Sequence, residues 1–135
     1  MVIKRLAPGV MVVGRFEPDP ITELGFGTIW RGVHKQVPFL NGTEGNVRDP
    51  ETNNRLKTNQ VASNWHRDTS DHDTAMVLWS NKEQTQILLP DGTIIQPDPC
   101  DIVVIHNEKV MHRTPSEMSA DRWFFRAHIR APQWL

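Results

Sequence analysis

Apolar residues in this chain come in short runs rather than long periodic stretches. In the second half, the runs at residues 61–66, 74–79, 85–89, 93–96, 101–105 and 122–129 are rich in β-branched and aromatic side chains, and turn formers bound them. Ser80-Asn81-Lys82-Glu83 separates two of these runs, and Pro90-Asp91-Gly92 has the chemistry of a tight hairpin connection. Pro97-Asp98-Pro99-Cys100 interrupts the ladder, because proline has no N–H to donate. Short strands so regularly spaced predict an all-β, antiparallel sandwich or barrel. In the first half, residues 28–34 make one more strand candidate, and a short helix is expected around residues 19–24. Residues 41–60 hold almost no apolar side chain and predict a long exposed loop, of the kind that serves as a lid or substrate loop. Ten prolines and eight glycines are scattered along the chain, which argues against long helices, and no repeat or heptad pattern is present.

At 135 residues the chain fits one domain, residues 1–135, and a domain of this size buries roughly two thirds of its unfolded surface without needing staples. Its single cysteine, Cys100, excludes an intramolecular disulfide and suits a reducing, cytoplasmic compartment. Pro8 and Gly9 break the N-terminal apolar run before it reaches the length of a signal-peptide core, and no later run approaches the ~20 apolar residues of a membrane span. A soluble protein is expected. With a formal net charge of −1 and interspersed signs, no broad attraction to nucleic acid or membrane is implied. Six histidines are many for this length, and His66, His72, His106 and His112 lie close in sequence, which directs attention to metal chemistry.

The strongest local signal is Trp65-His66-Arg67-Asp68. Residues i and i+2 of a strand project to one face, so His66 and Asp68 can reach the same ion. A second imidazole from a distant strand would complete a two-histidine, one-carboxylate face that leaves coordination positions open on iron. His112 is the candidate, 46 residues on and just after the run Ile102-Val103-Val104-Ile105. His106 competes for the role but lacks the sequence that follows His112, where Arg113-Thr114-Pro115 leads to Arg122, ten residues beyond. His72 and Asp73 point to opposite faces of any strand and make a poor pair. His34 and His128 read as surface or core histidines, and Trp65, Trp79, Trp123, Phe124 and Phe125 as mostly core.

With W-H-R-D, the W-S-N turn at residues 79–81, the hairpin Asp91-Gly92, and P-C-D-I-V-V-I-H-N ahead of M-H-R-T-P, residues 61–130 resemble the iron(II)/2-oxoglutarate-dependent dioxygenase superfamily. The resemblance implies a double-stranded β-helix, or jelly roll, with Fe(II) on His66, Asp68 and His112 at its open mouth. It implies 2-oxoglutarate as cosubstrate, its distal carboxylate on Arg122, and hydroxylation of an unidentified small-molecule or side-chain substrate. Arg126, read as sharing a strand face with Arg122, is a second candidate contact, and Thr85 and Asn64 are candidate polar neighbours of the keto acid. The chain has no tyrosine, so the tyrosine contact of several relatives must come from another residue, and Cys100 stands where relatives commonly carry glycine. The brevity of the chain suggests a pocket completed within one copy or by a homodimer. Two other readings stay open: a cupin-like metal enzyme that does not use 2-oxoglutarate, and a non-catalytic jelly-roll module that binds a small ligand.

Overall fold

Residues 75–79 and 102–105 are apolar at every position, which suits strands covered on both faces rather than one. In the computed structural model, which describes residues 4–40, 45–50, 64–68 and 73–135, they lie in the middle of the larger of two antiparallel sheets. The elements run β1 (Lys4–Ala7), β2 (Val10–Arg15), α1 (Phe26–Gln36), a 3-10 turn (Pro38–Leu40), β3 (Gly45–Arg48), β4 (Thr74–Ser80), β5 (Gln86–Leu88), β6 (Ile94–Ile95), β7 (Asp101–His106), β8 (Met111–Arg113) and β9 (Phe124–Arg130). The larger sheet has the order β1-β2-β7-β4-β9-β3 and the smaller β6-β5-β8. Among the described residues the chain is thus mainly β, with α1 packed on the larger sheet.

The larger sheet separates two apolar layers. On one face Val77, Trp79, Val104 and Phe125 pack with Ile29 and Val33 of α1. On the other, Met76, Leu78, Val103, Ile105 and Phe124 meet Ile87 of the smaller sheet. Alternation along each strand therefore sends neighbours to different layers.

The strand expected at residues 28–34 is instead the core of α1. Ile29, Val33 and Val37 recur at intervals of four and are all buried, and Trp30 lies edge-on to Phe125 at 5.7 Å. Burial at helical spacing outweighs the β preference of a segment rich in branched and aromatic residues. Conversely, residues 19–24, expected as a helix, form a turn and bends, with Pro18 and Pro20 flanking Asp19. Within the expected loop at 41–60, Gly45–Arg48 is a strand paired with β9; residues 41–44 and 51–60 lie outside the described residues, as do residues 61–63 of the expected strand 61–66. Cys100 adopts φ 70°, the left-handed conformation that favours glycine, which accounts for a glycine preference at this turn.

Gly32 permits the close approach of α1 to β2: a Cβ there would lie 2.3 Å from Cζ of Phe16. Phe16 is itself held at 5.4 Å from Trp79, whose Nε1 donates to the Phe16 carbonyl at 3.0 Å. Gly32→Ala is therefore expected to lower stability by about 1–3 kcal/mol despite alanine's better helix propensity, measured as a lower urea midpoint with unchanged slope. An equal or higher midpoint would contradict this packing.

Candidate metal centre

His66 and His112 form a reciprocal backbone pair, each N–H donating to the other's carbonyl at 3.0 Å. Residues paired in this way project to the same face, and their imidazole centroids stand 4.5 Å apart. His112 also pairs with Ile87 of β5, so its ring faces the interior between the sheets and is 6 % exposed. On the opposite face, Arg113 lies 4.2 Å above the Trp65 ring and its Nε donates to Oε1 of Gln86 at 2.7 Å. Trp65 is thus half-buried against an arginine, and this outer lattice braces the strand segment bearing the two ligands.

Asp68 completes the group. Its Oδ1 lies 3.1 Å from Nε2 of His112 and 3.3 Å from Nε2 of His66, and the three ligand atoms fall within 4.8 Å of one another. Metal–ligand bonds of ~2.1 Å at octahedral or tetrahedral angles put adjacent donor atoms roughly 3.0–3.4 Å apart, so both measured edges fit a shared ion. The tautomers fit as well. Nδ1 of His66 faces the carbonyl of Asn64, which only accepts, so Nδ1 carries a proton and Nε2 is the nitrogen turned toward the carboxylate, placed to share a proton with it or to offer a lone pair to a metal ion. Two acceptors facing each other at this distance require a proton or a metal ion between them. His106, by contrast, ends β7 in the other sheet, where its Nδ1 accepts from the Glu108 N–H at 3.1 Å.

Arg126 fixes the carboxylate from the larger sheet. Its Nη1 donates to Oδ2 of Asp68 at 2.7 Å, leaving Oδ1 for the imidazoles. His128, two residues along the same strand face, brings Nε2 to 3.7 Å from the same Oδ2. Burial acts to raise the Asp68 carboxyl, but the hydrogen bond and charge of His112, then the charges of Arg126 and His66, outweigh it and hold the group well below the usual carboxylate range. A carboxyl depressed in the fold adds stability above its unfolded pKa of about 4 and loses it as pH falls through the folded value. Asp68→Asn is therefore expected to cost the metal-free protein on the order of 2 kcal/mol at pH 7, with the gap from wild type closing below about pH 4 in urea titrations. A gap independent of pH would contradict this pairing.

Arg122 does not share a strand face with Arg126, because β9 begins at Phe124 and Arg122 lies in the preceding turn. It is 2 % exposed. Its Nε donates to the Glu83 carbonyl at 2.7 Å, its Nη1 meets Sδ of Met118 at 3.4 Å, and its guanidinium lies 5.0 Å from the Phe124 ring. Burial pulls its pKa down to about 10 against the opposing charge of Glu83, so it remains a cation at neutral pH. Thr85 is buried two residues before Ile87, with the parity of the interior face. Asn64 is exposed and serves the site through its backbone carbonyl.

Sequence reasoning thus brought together His66, Asp68 and His112, but missed Arg126 as the partner of Asp68 and set His128 aside. The parity of Arg126 and His128 on one strand was the available signal; their meeting with Asp68 depends on how two sheets face each other. Among the described residues, no helix is long and apolar enough to cross a membrane. No protein-family model, curated protein or solved structure matches the chain, so the reading of its function rests on this geometry and on the residues that build it.

Proposed function

We propose that the protein is a non-haem Fe(II)- and 2-oxoglutarate-dependent dioxygenase of the double-stranded β-helix type. The observation that carries this reading is the convergence of Nε2 of His66, Oδ1 of Asp68 and Nε2 of His112 in a mostly buried setting. Strand order supports it. From β3 onward the chain alternates between sheets: β3, the His66 bridge, β4, the β5–β6 pair, β7, β8 and β9, giving β3-β9-β4-β7 opposite a layer of the His66 bridge, β8, β5 and β6. Eight segments in this order support the jelly-roll reading.

In this reading His66, Asp68 and His112 would hold iron, three protein ligands being few enough to let it also take the cosubstrate and dioxygen. Iron held there would supply the redox chemistry that activates dioxygen, with two electrons from decarboxylation of 2-oxoglutarate and two from a C–H bond: 2-oxoglutarate, dioxygen and the C–H bond would become succinate, carbon dioxide and an alcohol. The chain's own groups set the conditions. Asn64 fixes the tautomer of His66, and Arg126 orients Asp68 and offsets its charge. Phe124, Leu78, Met76 and Ile87 keep the interior apolar. Arg122 is a buried cation suited to the distal carboxylate of the keto acid, because a guanidinium presents a rigid donor fork.

The test is an anaerobic Fe(II) titration followed by 2-oxoglutarate, watching for the weak visible metal-to-ligand charge-transfer band. Its appearance supports the oxygenase. Iron binding without the band would favour a cupin-like metal enzyme, and no iron binding would remove the basis for an enzyme at this site.

A further inference from the structure

Ile87 and His112 face inward, so Leu88 and Met111, the next pair along β5 and β8, project to the outer face of the smaller sheet. There they join Leu89 and Pro90 of the β5–β6 hairpin in lining a cleft of about 610 Å³. Sites for small molecules run from roughly 300 to 1,000 Å³. Ile94, opposite Leu88 and 53 % exposed, extends the apolar surface on this face. Two cations line the same cleft. Arg67 comes from between His66 and Asp68, where the backbone is pinned by the reciprocal His66–His112 pair, and Lys109 comes from the turn between β7 and β8. The carboxylates that line it are already engaged: Oδ1 of Asp91 accepts the Thr93 N–H at 2.9 Å within the hairpin, and Glu108 has a partner of its own. Among the described residues, Arg67 and Lys109 make no hydrogen bond or ion pair.

We propose that this cleft binds a free amphiphilic carboxylate, an apolar chain carrying one anionic head. The inference goes beyond the oxygenase reading and does not rest on it, since Leu88 and Met111 face away from the layer that holds the His112 ring. The chain follows from the lining. Each methylene taken from water onto Leu88, Leu89 and Met111 raises affinity by up to roughly fourfold. The head follows from the donors: a guanidinium fork and an ammonium, beside acceptors already in use, are complementary to a carboxylate. A concave site for one molecule, on a chain of net charge −1, suits a free ligand better than an anionic membrane, which a broad basic patch would attract.

The proposal is tested by titrating octanoate into the metal-free protein and following the methionine methyl signals by NMR, with 1-octanol as a chain-only probe and acetate as a head-only probe. The Met111 methyl, assigned with Met111→Leu, is expected to shift with octanoate. The methyls of Met76, between the sheets, and Met118, beside Arg122, are expected to stay in place. Octanol and acetate should each bind about tenfold more weakly than octanoate. Arg67→Gln and Lys109→Gln, both at exposed positions, should each weaken octanoate by roughly three- to tenfold and leave octanol within about twofold of wild type. Equal affinity for octanoate and octanol, unchanged octanoate affinity in both variants, shifts at Met76 or Met118 in place of Met111, or no binding would each overturn it. So would cosedimentation with phosphatidylglycerol vesicles by a protein that does not bind octanoate, which would assign the cleft to a membrane surface.

Discussion

His112→Ala is expected to abolish specific iron binding while leaving the metal-free fold close to wild type in stability. Removing an outer partner of a metal ligand typically costs 10–100-fold in affinity, so removing a ligand should exceed about 100-fold. The stability half of the expectation comes from burial. The His112 ring is almost enclosed, and among the described residues its Nδ1 has no hydrogen-bond partner. An unsatisfied buried donor costs about 1–3 kcal/mol, so alanine removes a penalty along with the packing and the contact to Asp68. Metal at about 100 times its Kd should stabilise wild type by ~2.7 kcal/mol and the variant by nothing measurable. Anaerobic calorimetry and thermal unfolding with and without Fe(II) read both. A variant that keeps wild-type affinity would show that the ion, if any, sits elsewhere.

Arg122→Ala is expected to have two separable effects. One is structural: a buried guanidinium leaves its contacts with the Glu83 carbonyl, Met118 and Phe124, and truncation should cost about 3 kcal/mol. The other is functional: loss of a charge-assisted fork to a carboxylate should weaken 2-oxoglutarate about 10–100-fold. Arg122→Met separates them, since it restores apolar volume without charge. Recovered stability with keto-acid affinity still low is the expected result. If Arg122→Met binds 2-oxoglutarate as wild type does, Arg122 is a structural residue and the cupin-like reading gains.

What the sequence made legible was local. The pairing of His66 with Asp68 and the turn chemistry at Asp91-Gly92 both depend on a few adjacent residues; the first two do converge, through an isolated bridge at His66 and a bend at Asp68 rather than along a strand, and the hairpin turn has Gly92 at φ 89°. The helix at Phe26–Gln36 was hidden because its branched and aromatic residues satisfy β preference and helical spacing at once, and only the sheet it covers decides between them. β3 was hidden for a different reason. Gly-Asn-Val-Arg has one apolar residue, and its strand form comes from pairing with β9, some eighty residues away in sequence. The link from Arg126 to Asp68 was out of reach for the same cause: it joins two sheets.

That link also bears on how the two sheets are held together. The smaller sheet is made of strands two and three residues long, whereas the larger carries strands of six and seven. Short ladders carry fewer hydrogen bonds to hold them closed, so the smaller sheet depends more than the larger on the apolar layer that Ile87 enters and on side-chain ties between the sheets. At the metal end, Asp68 stands beside His66 and His112 on the side of the smaller sheet and is gripped by Arg126 from the larger. Asp68 therefore ties the two sheets together at this end, and an ion held as proposed would add its own bonds to that tie.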